Sequence, residues 1–239
     1  SGAPGHPGGT DVVSPTPNAN GWGNTGVGPN PGGYWGDGSG GGGAGGAGSQ
    51  NSTSGSDPGD GGIGVKYSTA YGPTNVITYA GGGSGGAHNG PISTPAEGRA
   101  EADRGGGGGG GGTPSSDANG DEGDHAVAGT GGGGGGSGNK RGVIYAGNGG
   151  SGTFIVRYAI ASFQTATRKA TGGLVSFNGG KAYHVFYTSQ DFVVTNGPVA
   201  CDFLVVGGGG AGGGGCGGGG GAGGYRSSFP EGPGGPSPS

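Results

Sequence analysis

Apolar positions along this chain do not recur at helical spacing anywhere; they come in short bursts separated by glycine. The first bursts lie in "GGIGVKYSTAYGPTNVITYA", residues 61–80, where GVKY and NVITYA flank Gly72 and Pro73. β-branched and aromatic residues bounded by turn formers are the signature of strands, so this stretch predicts a hairpin or a pair of edge strands. A second group occupies "RGVIYAGNGGSGTFIVRYAIA", residues 141–161. The strongest strand pattern follows from residue 171, where LVSF, AYHVFY, DFVV and ACDFLVV are each closed by Gly, Asn or Pro, which predicts a small antiparallel sheet. No segment strings together enough good helix formers to predict an α-helix.

The chain also repeats itself. "VITYAGGGSGG" at 76–86 matches "VIYAGNGGSG" at 143–152, and GVKY parallels FIVRY, so one supersecondary unit is used more than once. Four regions result: an extended or loop region rich in Gly, Pro and Asn at 1–60; a glycine-rich unit with short strands at 61–160; a small antiparallel β region at 161–206; and a glycine segment at 207–239 that starts an incomplete further unit.

Composition changes what those bursts can build. Of 239 residues 78 are glycine and only 27% are hydrophobic, too few to bury a conventional core along the whole length. Collagen is excluded, because residues 141–206 break the strict three-residue glycine period it requires. Two readings of the uninterrupted runs at 105–112 and 131–136, and of the nearly pure glycine stretch at 207–224, are open: disorder, or an ordered array. Order has one backbone solution. A left-handed, threefold extended helix makes no internal hydrogen bonds, so each run must bond sideways to neighbours, and only glycine lets neighbours approach on every side. The expected fold is therefore all-β with polyglycine II: short antiparallel strands feeding a bundle of extended polyglycine helices, with essentially no α-helix. Loops joining the runs would gather at the bundle ends.

Charge narrows the partners. A net charge of −4 with 10% charged residues offers no basic patch for nucleic acid, and no apolar run approaches the roughly 20 residues of a membrane span. Neither nucleic acid nor membrane is expected as a partner. The lack of methionine and the opening "SGAPGHPGG" predict a segment of a longer chain or a processed product.

Candidate chemistry is sparse. His6, His88, His125 and His184 have no metal-ligand spacing, and His184 in AYHVFY reads as a strand residue facing solvent or a tyrosine. "DANGDEGD" begins like a calcium loop, with Asp117, Asn119 and Asp121 at alternate positions, but Glu122 stands where glycine belongs and Ala128 where the bidentate glutamate belongs. It reads as a solvated turn or a weak metal site. Cys201 reads as a small buried strand residue; Cys216 interrupts a glycine run, where it could pair with Cys201, oxidise or stay inert. Asn51 opens a glycosylation sequon that matters only on a secretory route. GxGxxG matches carry nothing without a strand–helix unit. No catalytic residue and no cofactor is predicted, and the chain reads as non-enzymatic. Trp22, Tyr34, Trp35 and Tyr71, with Tyr67 and Tyr79, are the large aromatics of the first half; on rigid loops they can stack on sugars or anchor protein contacts, or they can seal the bundle ends. The first four are the candidate binding residues.

"KAYHVFYTSQDFVV", "CDFLVVGGGGAGGGGCGGGGGAGGYRSS" and "GGSGTFIVRY" closely resemble the glycine-rich repeat modules of bacteriophage structural and tail-fibre proteins, over about residues 141–230. In those modules a Tyr-His-Val-Phe strand and a DFLVV strand precede the glycine block and an Ile-Val-Arg-Tyr strand ends it. Residues 1–140 resemble the family mainly in composition. The resemblance implies a tail-fibre or adhesin segment in a virion, presenting loops to a bacterial surface polysaccharide or outer-membrane protein, because some phage adhesins use polyglycine-II bundles in this way. Here the order is permuted: a unit ends near Tyr158, and the next stops at "GGPSPS" before its glycine block completes. That departure implies either a piece of a tandem array or an open end completed by the next subunit. The alternative function is thus an extracellular filament built by head-to-tail self-association. An ice-binding role ranks last, for want of a regular threonine- or alanine-bearing face.

Overall fold

The computed structural model describes Asn24, Gly26 and residues 37–49, 58–68, 76–87, 122–138, 145–160 and 169–229. Among these residues there is no helix, and every paired strand is antiparallel. The predicted hairpin forms: β1 (Val65–Ser68) pairs with β2 (Val76–Tyr79), Tyr67 opposite Ile77. β3 (Thr153–Ala159) is the centre of a five-stranded sheet. After it come β4 (Ala170–Thr171), β5 (Leu174–Asn178), β6 (Lys181–Phe186), β7 (Val193–Val194), β8 (Cys201–Val206) and β9 (Tyr225–Ser227). The sheet order is β5-β6-β3-β8-β9, and β4 pairs with β7 as a separate ribbon.

Local chemistry explains the hairpins. β5 and β6 are joined through Gly179 and Gly180, with φ of 56° and 73°, the two left-handed residues a tight primed turn needs. Strand alternation then sorts the faces. Ile155, Tyr183, Val185, Leu204 and Val206 point inward and pack with Val65, Tyr67, Tyr79 and Phe229 into the larger core. On the opposite face Tyr158, Ile160, Ala170 and Ala182 form a second cluster, with Phe177, Phe192 and Val199 against it.

The glycine-rich segments continue out of the strands. Residues 58–64 lead into β1, 80–87 leave β2, 145–152 lead into β3, 207–214 leave β8 and 217–224 lead into β9. Segments 37–44 and 130–138 lie among them, and their hydrogen bonds run laterally with a period of three residues. Gly38, Gly41 and Ala44 donate to the carbonyls of Gly86, Gly83 and Ala80. Gly82 and Gly85 donate to Gly62 and Gly59, while Gly83 and Gly86 donate to Gly220 and Gly217. Gly133 and Gly136 donate to Gly81 and Ser84; Gly134 and Ser137 donate to Gly210 and Gly213. Successive residues of one run thus bond to different neighbours, and neighbours run both parallel and antiparallel. A flat sheet cannot do this, since its hydrogen bonds lie in one plane.

Such packing requires glycine. A Cβ at Gly134 would lie 2.1 Å from the carbonyl oxygen of Gly147, and one at Gly133 would lie 2.0 Å from that of Gly220. Both contacts are to backbone, which cannot rotate away. At Gly180 an added Cβ meets nothing within 4 Å, and only its φ opposes a side chain.

These two kinds of glycine separate in mutants. Gly180→Ala is expected to cost about 1 kcal/mol, the left-handed penalty, and to lower Tm by a few degrees. Gly134→Ala is expected to cost at least about 3 kcal/mol, the upper range of overpacking. Thermal unfolding of both variants checks the order; equal losses would contradict the packing.

Candidate functional site

The runs pass up and down between two ends. At the sheet end they turn back through 44–46 and 128–131 or enter strands. At the other end, here called the distal end, Asp37, Ser49, Ala87, Glu122, Gly138 and Tyr145 are the last described residues before segments outside the description. Hydrogen bonds at this level tie the junctions together: Gly38 to Gly86, Gly40 to Ser49, Gly123 to Tyr145 and Cys216 to Gly138. The hairpin turn of Gly215 and Cys216, with φ of 62° and 59°, closes the same end.

The aromatic binding candidates Trp22, Tyr34, Trp35 and Tyr71, and the acidic candidates Asp117, Asn119 and Asp121, lie outside the described residues. Their neighbours in the chain are placed. Asp37, just after Trp35, and Glu122, just after Asp121, stand at the distal end, whereas Asn24, two residues after Trp22, donates to the Gly43 and Ala44 carbonyls at the sheet end, and Ser68 and Val76, which flank the segment holding Tyr71, also lie away from the distal end. Among the described residues no three His, Cys, Asp or Glu side chains come together as a metal site, and no helix is long and apolar enough to cross a membrane.

His184 is fully buried and faces a tyrosine rather than solvent. Its Nδ1 lies 2.7 Å from the Gly172 carbonyl oxygen and its Nε2 lies 3.2 Å from the Tyr158 hydroxyl. A carbonyl only accepts, so Nδ1 carries the proton and Nε2 accepts from Tyr158. The Ala170 amide then donates to the same hydroxyl at 3.2 Å. Phe192 meets the imidazole edge-to-face at 5.1 Å. With both ring nitrogens engaged and no water access, this network fastens the β4–β7 ribbon to the sheet.

Cys201 is exposed, which corrects its reading as a buried strand residue: β8 alternates, and Cys201 falls on the side away from Leu204 and Val206. It sits at the start of β8 while Cys216 sits at the far tip of the glycine hairpin, and neither is in a disulfide. The Cys216 thiol is pushed up to about 11, first by burial and then by the Asp37 carboxylate.

Sequence reasoning missed several side chains that hold the bundle and sheet together. Ser39, Ser84 and Ser137 are buried within glycine runs, and Ser137 Oγ accepts from the Gly215 amide at 2.9 Å, bracing the hairpin tip. Their signal was a single serine inside an otherwise bare run. Arg157, 2% exposed, donates through Nε to Asp202 Oδ2 at 3.0 Å and lies 3.9 Å over the Phe229 ring. The pairing of β3 with β8 sets Arg157 opposite Asp202, a relation invisible before the register is known.

No protein family, curated protein or solved structure matches this chain.

Two outcomes follow from these groups. Iodoacetamide at pH 8 is expected to alkylate Cys201 first, because Cys216 remains a thiol until the pH nears 11; Asp37→Asn is expected to hasten Cys216 labelling. Peptide mapping reads the order. His184→Phe leaves the Gly172 carbonyl and Tyr158 hydroxyl without their partner, an expected loss of roughly 1–3 kcal/mol in urea unfolding.

Proposed function

We propose that this chain is a non-enzymatic segment of a bacteriophage tail fibre or adhesin, stiffened by polyglycine-II packing, that presents loops at one end to a bacterial surface polysaccharide or outer-membrane protein. The observation that carries the reading is the gathering of Asp37, Ser49, Ala87, Glu122, Gly138 and Tyr145 at the distal end. Pro58 borders the same end, since the Gly59 amide donates to Gly38, so the segments 50–57, 88–121 and 139–144 are each flanked on both sides by residues that stand there. A scaffold that keeps variable sequence at one end and invests the rest in regular packing is built for display.

The three-residue hydrogen-bond period supports polyglycine II, the threefold extended helix without internal bonds. So do the run glycines themselves: among the described residues 132–136, 207–214 and 217–224 none has a left-handed φ. A high-resolution density map should show a rise of about 3.1 Å per residue in these runs. The alternative, an extracellular filament completed head to tail, has less support. Run 217–224 folds back into its own chain, donating from Gly217, Gly220 and Gly223 to Ser137, Gly134 and Gly131, and β9 pairs with β8.

The reading is tested by binding of the purified chain to a panel of bacterial cells and to their extracted surface polysaccharides. The expected result is binding to some hosts that the double variant Tyr34→Ala, Trp35→Ala loses, with unchanged thermal unfolding. Binding to no host, or equal binding by the variant, would overturn it. Long uniform fibres in negative-stain micrographs would favour the filament.

A further inference from the structure

Among the described residues, one run of the bundle has hydrogen-bonded neighbours on only half of its circumference. Segment 207–214 donates from Gly207, Gly210 and Gly213 to Gly224, Gly221 and Gly218, and from Gly209 and Gly212 to Gly150 and Gly147. It accepts at Gly210 and Gly213 from Gly134 and Ser137. The third row, the amides of Gly208, Ala211 and Gly214, meets no acceptor among the described residues, and all three residues are exposed. The carbonyls of Gly208, Gly209, Ala211 and Gly212 receive no described donor either. Among the described residues nothing crowds this side: a Cβ at Gly208 would come no closer than 3.6 Å to any of their atoms, against 2.0 Å for one at Gly209 or Gly212.

The open side continues onto the sheet. Val206 points inward, towards Gly131 of the run beneath, so Val205 and Phe203 point outward on the side of the unpartnered row. They are 41% and 38% exposed, and Phe154, opposite Val205, is 36% exposed. The cluster around Phe192 and Val199 covers the Tyr158 and Ala182 part of this face and leaves these three side chains uncovered.

We propose that this face, from Phe203 and Val205 along to Gly214, is a lateral docking surface for a second copy of the same chain. The two halves of the face select the occupant. The strand half offers apolar area, which any hydrophobic partner could cover. The run half presents backbone donors and acceptors at three-residue spacing, with the methyl of Ala211 as its one side chain. A chain meeting it as closely as the existing neighbours do must itself carry nothing larger than a methyl there: at most of the glycines in the filled rows an added Cβ would collide with a carbonyl, and the side chains packed among the runs are as small as those of Ala44, Ala80 and Ala222. This chain carries that combination: donor and acceptor rows lie together on the outer half of 207–214, beside Phe154, Phe203 and Val205. The contact is side by side, unlike the head-to-tail junction of the filament alternative, and it does not depend on the display function.

The experiment is sedimentation velocity of the full chain across a wide concentration range, with two variants. Gly208→Lys places a long charged side chain, far larger than the methyl of Ala211 in the same row, where the monomer has room and a closely docked neighbour has none; Val205→Ser removes apolar area from the strand half. The expected result is reversible association of the wild type, weakened about tenfold or more in Kd by Gly208→Lys and less by Val205→Ser. Leu174→Lys, on the far edge strand β5, should leave it unchanged, and all variants should keep the wild-type Tm. A wild type that stays monomeric throughout, or association that Gly208→Lys leaves intact, would overturn the proposal. Association lost equally in Leu174→Lys would place the contact elsewhere and overturn it too.

Discussion

The structure depends on lateral backbone hydrogen bonding between runs that have no side chains to separate them. Ordering glycine costs more conformational entropy than ordering any other residue, on the order of 1–2 kcal/mol per backbone. A lone extended run offers nothing against that cost, since its amides and carbonyls remain with water. Packed among neighbours, the run 130–138 donates to 80–87, 207–214 and Asp124 and accepts from 217–224 and 145–152, so most of its polar groups are satisfied inside a structure with almost no apolar surface. The bundle is therefore cooperative in an unusual sense. Each run is stable only because the surrounding runs are present, and one Cβ in the wrong row removes several contacts together.

The strands solve the problem that a bundle of bare backbone cannot solve alone, which is register. Sliding one glycine run past another by three residues recreates the same hydrogen bonds. A strand cannot slide so freely, because its side chains alternate between core and exterior. Leu204 and Val206 are buried while Phe203 and Val205 are not, and that alternation fixes where run 207–214 begins. Phe229, packed beside Tyr67 and under Arg157, fixes the other limb of the same hairpin after run 217–224. The sparse apolar residues thus set positions, and the glycines between them supply the packing.

The strands were legible in the sequence because bursts such as LVSF, KAYHVF and CDFLVV carry side-chain preferences of their own. The β1–β2 hairpin and the antiparallel sheet follow from them directly. The order of the sheet was not legible: β3 belongs to the repeat around 141–161, yet it lies between β6 and β8, and no local pattern announces a pairing across that distance. The same holds for His184 and Cys201. Alternation says that neighbours in a strand face opposite sides, but which side is covered depends on where 187–199 passes, and that segment has little periodicity of its own. For the candidate site, aromatic and acidic residues could be singled out by type, while the end of the bundle at which Asp37 and Glu122, the placed neighbours of some of them, stand became apparent only from the direction in which each run travels.

A bundle that bonds in every lateral direction has no natural boundary, and this is the constraint any such fold must meet at its surface. Sheets face the same problem in one dimension, at their edge strands, and answer it with charge, bulges or cover. Here parts of the boundary carry side chains: Glu122, Asp124, His125 and Val127 are exposed along the run beside 145–150, where a further bare run would meet them. Run 207–214 has no such guard apart from the methyl of Ala211. Among the described residues this surface is bare beside guarded ones and is continued by exposed Phe203 and Val205, so whether the bundle ends with one chain depends on what meets that run.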